Sequence, residues 1–230
     1  MTSNTSGILA NELVENMDNN LAKRFFITHF FNPPRYMKLV EIVPSKKTDI
    51  ALIPPIAKFL ENILGKGVVY AKDTPNFVAN RIGVYGMMAT LDVAMKEKLS
   101  VEDVDALTGT LIGRPKSATF RTADIVGLDT MCFVANTAYE KCLDDSERDA
   151  FKIPSYLQKM IENKYLGQKT KQGFYKKIDK GLIYSINLNS LEYAPQNKTR
   201  YSGVTLAREH INIGDKIKAL VNSDDKSGNF

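Results

Sequence analysis

The sequence predicts an α/β segment followed by a mainly α-helical domain, with the change falling near residue 73. Three observations carry this reading. Before residue 73, short runs rich in β-formers alternate with helix-length segments; after it, apolar residues recur at helical spacing. A hydrophobic content of 43% with 25% charged residues over 230 positions also suits a folded chain that buries one large core or two modest ones. In order, residues 2–5 are a short polar start, 10–19 a helix, 25–29 and 39–43 strands, 48–64 a helix and 68–72 a strand. Residues 33–38 are too few for a crossover helix, so the strand carrying Glu41 should run antiparallel to the one carrying His29. The helical connection over 48–64 can then return the chain parallel to the Glu41 strand.

From Asp73 the pattern is helical. Asp73 or Thr74 is a candidate cap, with Pro75 at the first helical position of a long helix. Gly83 and Gly86 inside it each cost about 1 kcal/mol relative to alanine, which predicts another backbone packed closely there. Ser100 with Asp103 is a capping signature, and residues 130–142 have helical spacing again. The stretch 178–230 is more polar, with a hairpin pattern in "GLIYSINLNSLEYAP" and a helix-like "TLAREHINIGDKIKALV". The expected division is therefore 1–72, 73–177 and a polar extension or linker over 178–230.

The formal net charge of +5 is spread among interleaved acids and bases, so no basic stripe for nucleic acid is present. No apolar run approaches the roughly 20 residues of a membrane span, and "MTSNTSGILA" has neither the charge nor the hydrophobic block of a signal peptide. Cys132 and Cys142 lack metal-ligand spacing, and the carboxylates of "CLDDSERD" form an exposed turn with no ligand pattern, so no metal is expected. A cytoplasmic protein with reduced thiols is the expectation.

One pair of residues stands out. His29, one of two histidines, lies at the carboxyl end of its strand, and Glu41 is flanked by apolar neighbours on whichever face it points. An ionised carboxylate there costs several kcal/mol unless it is paired. A carboxylate bonded to one imidazole nitrogen fixes the tautomer and leaves the other nitrogen as a general base. On spacing alone, a satisfied core histidine beside a glutamate on a solvated face fits as well.

Five words of the sequence go further: "SNTSG" at 3–7, "HFFNPPRYMKLVEIV" at 29–43, "DTPNFVANR" at 73–81, "VGLD" at 126–129 and "GQKTKQGFY" at 167–175. In this order and spacing the chain resembles the L-3-hydroxyacyl-CoA dehydrogenases of fatty-acid β-oxidation over residues 2–177. "GRPKSATFRTADIVGLDT" looks closest to the fused bacterial and archaeal form that also carries an enoyl-CoA hydratase, and the polar tail resembles that form's linker. The resemblance implies the C-terminal part of a Rossmann NAD-binding domain, followed by a helical domain of the 6-phosphogluconate dehydrogenase C-terminal-like type. It also implies oxidation of an L-3-hydroxyacyl-CoA to the 3-ketoacyl-CoA with NAD.

By the same resemblance, His29 matches the catalytic base and Glu41 its orienting partner. Ser6 matches the serine that bonds the substrate oxygen near the cofactor, Asn80 the asparagine reaching the site from the long helix, and Asn32 a position near the bound cofactor. Charge developing on the substrate oxygen calls for aimed donors such as a serine hydroxyl and an asparagine amide. Individually, Ser6 also reads as a turn residue, Asn80 as a helix-surface residue and Asn32 as a pre-proline turn residue. His210 reads as a solvated helix-end histidine, the lysines of "LGQKTKQGFYKK" as a solvated loop, and Phe174 with Tyr175 as anchors to the helical core.

One departure matters. The family opens its cofactor domain with a glycine-rich strand-to-helix turn that holds the NAD pyrophosphate, and this sequence contains no GxGxxG. The expectation is an internal fragment with the acid–base pair but most of the cofactor cradle absent, weakly active at most alone. Short family members dimerise through the helical domain, so a homodimer is open. Two rival readings are a hydroxyacid dehydrogenase of the 6-phosphogluconate or 3-hydroxyisobutyrate type, which uses a helix-borne lysine, and a non-catalytic dimerisation or scaffold module.

Overall fold

A computed structural model describes residues 1–197 and 199–229. The chain forms two compact units: residues 1–83 with 137–148, and residues 84–136 with 149 onward. The first unit therefore reaches past the expected boundary at 72 and takes in a short stretch from later in the chain. A reason is visible in its polar contacts, since the amides of Val78 and Ala79 bond Glu41 and the Arg81 guanidinium pairs with Asp145.

The first unit is built on a four-stranded sheet of order β1-β2-β3-β4, made of β1 (Thr2–Ser3), β2 (Phe26–Phe30), β3 (Leu39–Pro44) and β4 (Gly67–Tyr70). β2 and β3 are antiparallel and β3 and β4 parallel, as the connection lengths predict, and the short β1, read in the sequence as a polar start, pairs parallel to β2. Strand alternation sorts the side chains. Phe26, Val40 and Ile42 pack with Ile53, Ala57 and Leu60 on one face, while Phe25, Ile27 and Val43 pack with Ala10, Val14, Ala71 and Phe77 on the other. His29 and Glu41 share the second face.

The expected helix over 10–19 is two short ones, α1 (Ala10–Leu13) and α2 (Asn19–Ala22). Asp18 starts the second, its carboxylate accepting from the amides of Asn20 and Leu21, which competes with continuing the first. Asp73, expected to cap the long helix, instead accepts from the amides of Ala10 and Asn11 at 2.7 and 2.8 Å and so caps α1. The 48–64 helix is a 3-10 turn capped by Asp49 and then α3 (Ile53–Asn62), with Pro54 and Pro55 in its first turn, where no partner for the missing N–H is needed.

The long helix α4 (Ala79–Lys96) begins later than Pro75, because Asn76 and Phe77 adopt left-handed backbone at φ 62° and 53°. A methyl group added at Gly83 or Gly86 would meet nothing within 4 Å, so these glycines do not mark a close backbone approach among the described residues.

The second unit continues with α5 (Val101–Leu107), α6 (Phe120–Val126), α7 (Leu128–Lys141, whose last turns belong to the first unit) and α8 (Ser155–Glu162). α5 carries the expected capping box of Ser100 and Asp103. The described residues of the polar extension, 178–197 and 199–229, include strands and helices. β5 (Tyr175–Lys177), β6 (Ile183–Ile186) and β7 (Tyr193–Pro195) make an antiparallel sheet containing the predicted hairpin, followed by α9 (Ser202–Glu209), α10 (Ile213–Val221) and α11 (Lys226–Asn229). Thr199 and Tyr201 hydroxyls donate to Asp103, and the Asn197 amide donates to Glu102, which ties this stretch to α5.

The "GQKTKQGFY" segment is an anchor, as the reading of Phe174 and Tyr175 expects. Asp124 accepts from the amides of Phe174 and Tyr175 at 2.8 and 2.9 Å, and the Tyr175 hydroxyl donates to Asp105. A Cβ at Gly173 would overlap the Asp124 carboxylate and lie 2.7 Å from Gly167 Cα. Gly173→Ala should lower stability by about 1–3 kcal/mol through overpacking, read by urea unfolding.

Burial pushes Asp124 up to about 6, against the bonds from Tyr175 and Phe174, with the Asp105 charge adding to the rise. Its stabilising contribution is therefore complete below the ordinary value of 3.8 and lost as pH rises through about 6. Asp124→Asn should flatten the dependence of the melting temperature on pH across that window.

Candidate active site

The site is built on neighbouring strands of the first unit. His29 near the end of β2 and Glu41 in the middle of β3 are directly paired residues of the antiparallel ladder, so their side chains rise together from one face. His29 Nδ1 donates to Glu41 Oε2 at 2.7 Å. Glu41 Oε1 accepts from the amides of Val78 and Ala79 at 2.9 and 2.8 Å, at the start of α4. With Glu41 at 0% and His29 at 7% exposure, the pair is almost dry.

Burial alone would raise the Glu41 carboxyl, but the bond from His29 and the amides of Ala79 and Val78 outweigh it and leave the group below its ordinary range. The ionised carboxylate is thus the native form, and it fixes the proton on Nδ1. His29 Nε2 takes no hydrogen bond from any described residue.

The imidazole is held edge-on by two rings, Phe31 at 4.5 Å and Phe77 at 5.8 Å between centroids. Sequence reading did not single out either ring. Phe31 lies two positions after His29 and was visible beside it, but only the fold brings Phe77 to β2. Asn4, also not singled out, accepts from the Phe30 amide at 2.7 Å and fastens the end of β1 beside that of β2.

Ser6 and Asn80 are brought together: Asn80 Nδ2 donates to Ser6 Oγ at 2.9 Å. The serine keeps its own proton to give to another acceptor. Asn32 lies exposed just beyond β2, before a cis peptide to Pro33, and makes no hydrogen bond within the described residues. His210 is exposed at the end of α9, and no group of metal-ligating side chains occurs among the described residues. No helix of the described residues is long and apolar enough to cross a membrane.

A hydroxyl, an amide and an oriented imidazole suit the reacting end of a nicotinamide dinucleotide. The sequence has no glycine-rich turn for the pyrophosphate, so the residues present fit that one end only.

An α/β sheet bearing a strand-borne histidine and glutamate, followed in sequence by a helical domain, defines the class as a two-domain dehydrogenase fold. Residues 1–74 match the family model for the 3-hydroxyacyl-CoA dehydrogenase NAD binding domain, and residues 77–177 that for the 3-hydroxyacyl-CoA dehydrogenase C-terminal domain. The chain belongs to the 3-hydroxyacyl-CoA dehydrogenase family.

It is 47% identical over 228 residues to a Bacillus subtilis protein described as "Probable 3-hydroxyacyl-CoA dehydrogenase", covering 99% of this chain and 29% of that protein. A Deinococcus radiodurans protein with the same description is 44% identical over 177 residues, covering 77% of this chain and 50% of the relative. Among solved structures, the (S)-3-hydroxybutyryl-CoA dehydrogenase of Ralstonia eutropha aligns with a TM-score of 0.65 at 30% identity, over 75% of this chain and 58% of that one. The chain thus spans no more than about half the length of these two curated relatives.

Proposed function

We propose that this chain is the acid–base portion of an NAD-dependent enzyme that oxidises L-3-hydroxyacyl-CoA to 3-ketoacyl-CoA in fatty-acid β-oxidation. The observation that carries the reading is the 2.7 Å bond from His29 Nδ1 to a buried Glu41. That bond leaves Nε2 to take the proton of the substrate 3-hydroxyl. NAD, when bound, supplies the hydride acceptor for the same carbon. As the proton leaves, Glu41 stabilises the positive charge gained by the imidazole. The Ser6 hydroxyl, its oxygen already engaged by Asn80, donates to the substrate oxygen where charge changes most. Asn32, exposed beyond β2, is assigned to the cofactor's vicinity on the family resemblance.

The same reading places the chain as one portion of a longer, multifunctional cytoplasmic protein. It takes residues 1–72 as part of the NAD-binding domain, 73–177 as the helical domain and 178–230 as the connection onward. The helical domain is the candidate surface for a homodimer. The partial coverage of the B. subtilis relative supports the longer form.

The test is the full-length protein assayed with acetoacetyl-CoA and NADH: oxidation of NADH supports the reading, and its absence in a folded preparation rejects it. The 230-residue chain alone should bind NAD weakly. Normal affinity by calorimetry would overturn that expectation.

A further inference from the structure

The start of the long helix contains an arrangement that the acid–base chemistry does not by itself require. Glu41 Oε1 receives two consecutive amides, from Val78 and Ala79. Both belong to the first residues after a sharp change of chain direction. The turn is made at Asn76 and Phe77, which stand side by side in the left-handed region at φ 62° and 53°. Asparagine tolerates that region, but a bulky phenylalanine rarely enters it.

Both residues are buried, at 0% and 2% exposure, and the Phe77 amide bonds the Thr74 carbonyl at 3.0 Å, closing the turn. The same backbone reversal that delivers the two amides to the carboxylate also drives the Phe77 ring against the His29 imidazole, with centroids 5.8 Å apart at 69°. One turn therefore touches both members of the pair, each through a different group.

We propose that Asn76 and Phe77 are positioning residues: their left-handed turn sets the Glu41 carboxylate, and through it the orientation and tautomer of His29. Neither residue supplies an atom that exchanges the proton. Their effect passes through the amides of Val78 and Ala79 and through the Phe77 ring. The functional consequence rests on the dehydrogenase reading, whereas the structural one does not.

Two measurements test it separately. The 230-residue chain has two histidines, so NMR with nitrogen-15-labelled histidine can follow the Nδ1 proton of His29 directly. A low-field, slowly exchanging signal is expected in the parent chain and in Asn76→Gly, which keeps the left-handed backbone accessible. In Asn76→Val, whose branched side chain opposes it, the signal should move upfield and exchange rapidly.

In the full-length protein, Asn76→Val should lower kcat by roughly tenfold to a hundredfold with little change in KM, as expected when a catalytic group is displaced, and Asn76→Gly should restore it. If Asn76→Val does not fold, Asn76→Ala carries the same comparison. A folded Val or Ala variant with the parent's Nδ1 signal and kcat overturns the proposal. If the folded full-length parent does not oxidise NADH with acetoacetyl-CoA, the dehydrogenase reading fails, while the NMR result still decides the role of the turn.

Discussion

In the full-length protein, His29→Gln is expected to lower kcat for acetoacetyl-CoA reduction by roughly 10²–10⁴-fold, the usual worth of a positioned general acid or base. Glutamine can still donate to Glu41, so the carboxylate keeps a partner and the fold should persist. What disappears is a nitrogen able to exchange a proton with the substrate oxygen. Because the Ser6–Asn80 pair is untouched, KM should change much less than kcat. Circular dichroism melts run beside the kinetics would separate lost chemistry from lost structure. A rate within about tenfold of the parent would remove His29 from the role of base.

Glu41→Leu is expected to cost about 1–3 kcal/mol of stability, the range for leaving a buried donor without its acceptor. Three donors lose their acceptor at once: His29 Nδ1 and the amides of Val78 and Ala79. The His29 ring is buried, so its Nδ1 proton is left unsatisfied, whereas the amides of Val78 and Ala79 are only partly buried and can turn to water. Activity should fall as well, since nothing then fixes the imidazole tautomer.

The pH dependence has a definite sign. The native carboxyl lies below its ordinary range, so its contribution is present above the value of an unfolded glutamate and is lost as pH falls through the lowered native one. Urea unfolding at neutral and acidic pH should show the gap between parent and Glu41→Leu narrowing on acidification. A constant gap would count against an ionised Glu41.

These contributions are not interchangeable with those of the second unit. Asp124 runs the other way, losing its contribution as pH rises through about 6. A single melting curve therefore mixes two opposed titrations, and the Glu41→Leu and Asp124→Asn variants separate them.

Much of the site was legible before any coordinates. Alternation along residues 25–29 and 39–43, with a connection too short for a helix, already placed His29 and Glu41 on paired strands. The capping box at Ser100 and the hairpin over 181–195 followed from local patterns. Local signals failed where a polar group found a distant partner. Asp73 looks like the cap of the helix that follows it, yet it binds the amides of Ala10 and Asn11, more than sixty positions earlier. Asp105 and Asp124 carried no motif of their own as anchors, because their partners at 174 and 175 lie far along the chain. Gly167 and Gly173, small and close to Phe174, were the available hint.

The sequence by itself determined the antiparallel pairing of the strands that carry His29 and Glu41, the change from an α/β to a helical segment, and the family, because each depends on residue type and near-neighbour spacing. Tertiary structure alone decided which oxygen of Glu41 meets which donor, that Ser6 and Asn80 touch, and that the backbone turns left-handed at Asn76 and Phe77. Those outcomes depend on hydrogen-bond geometry between segments remote in sequence. Such geometry is fixed only when the core of the first unit closes around them.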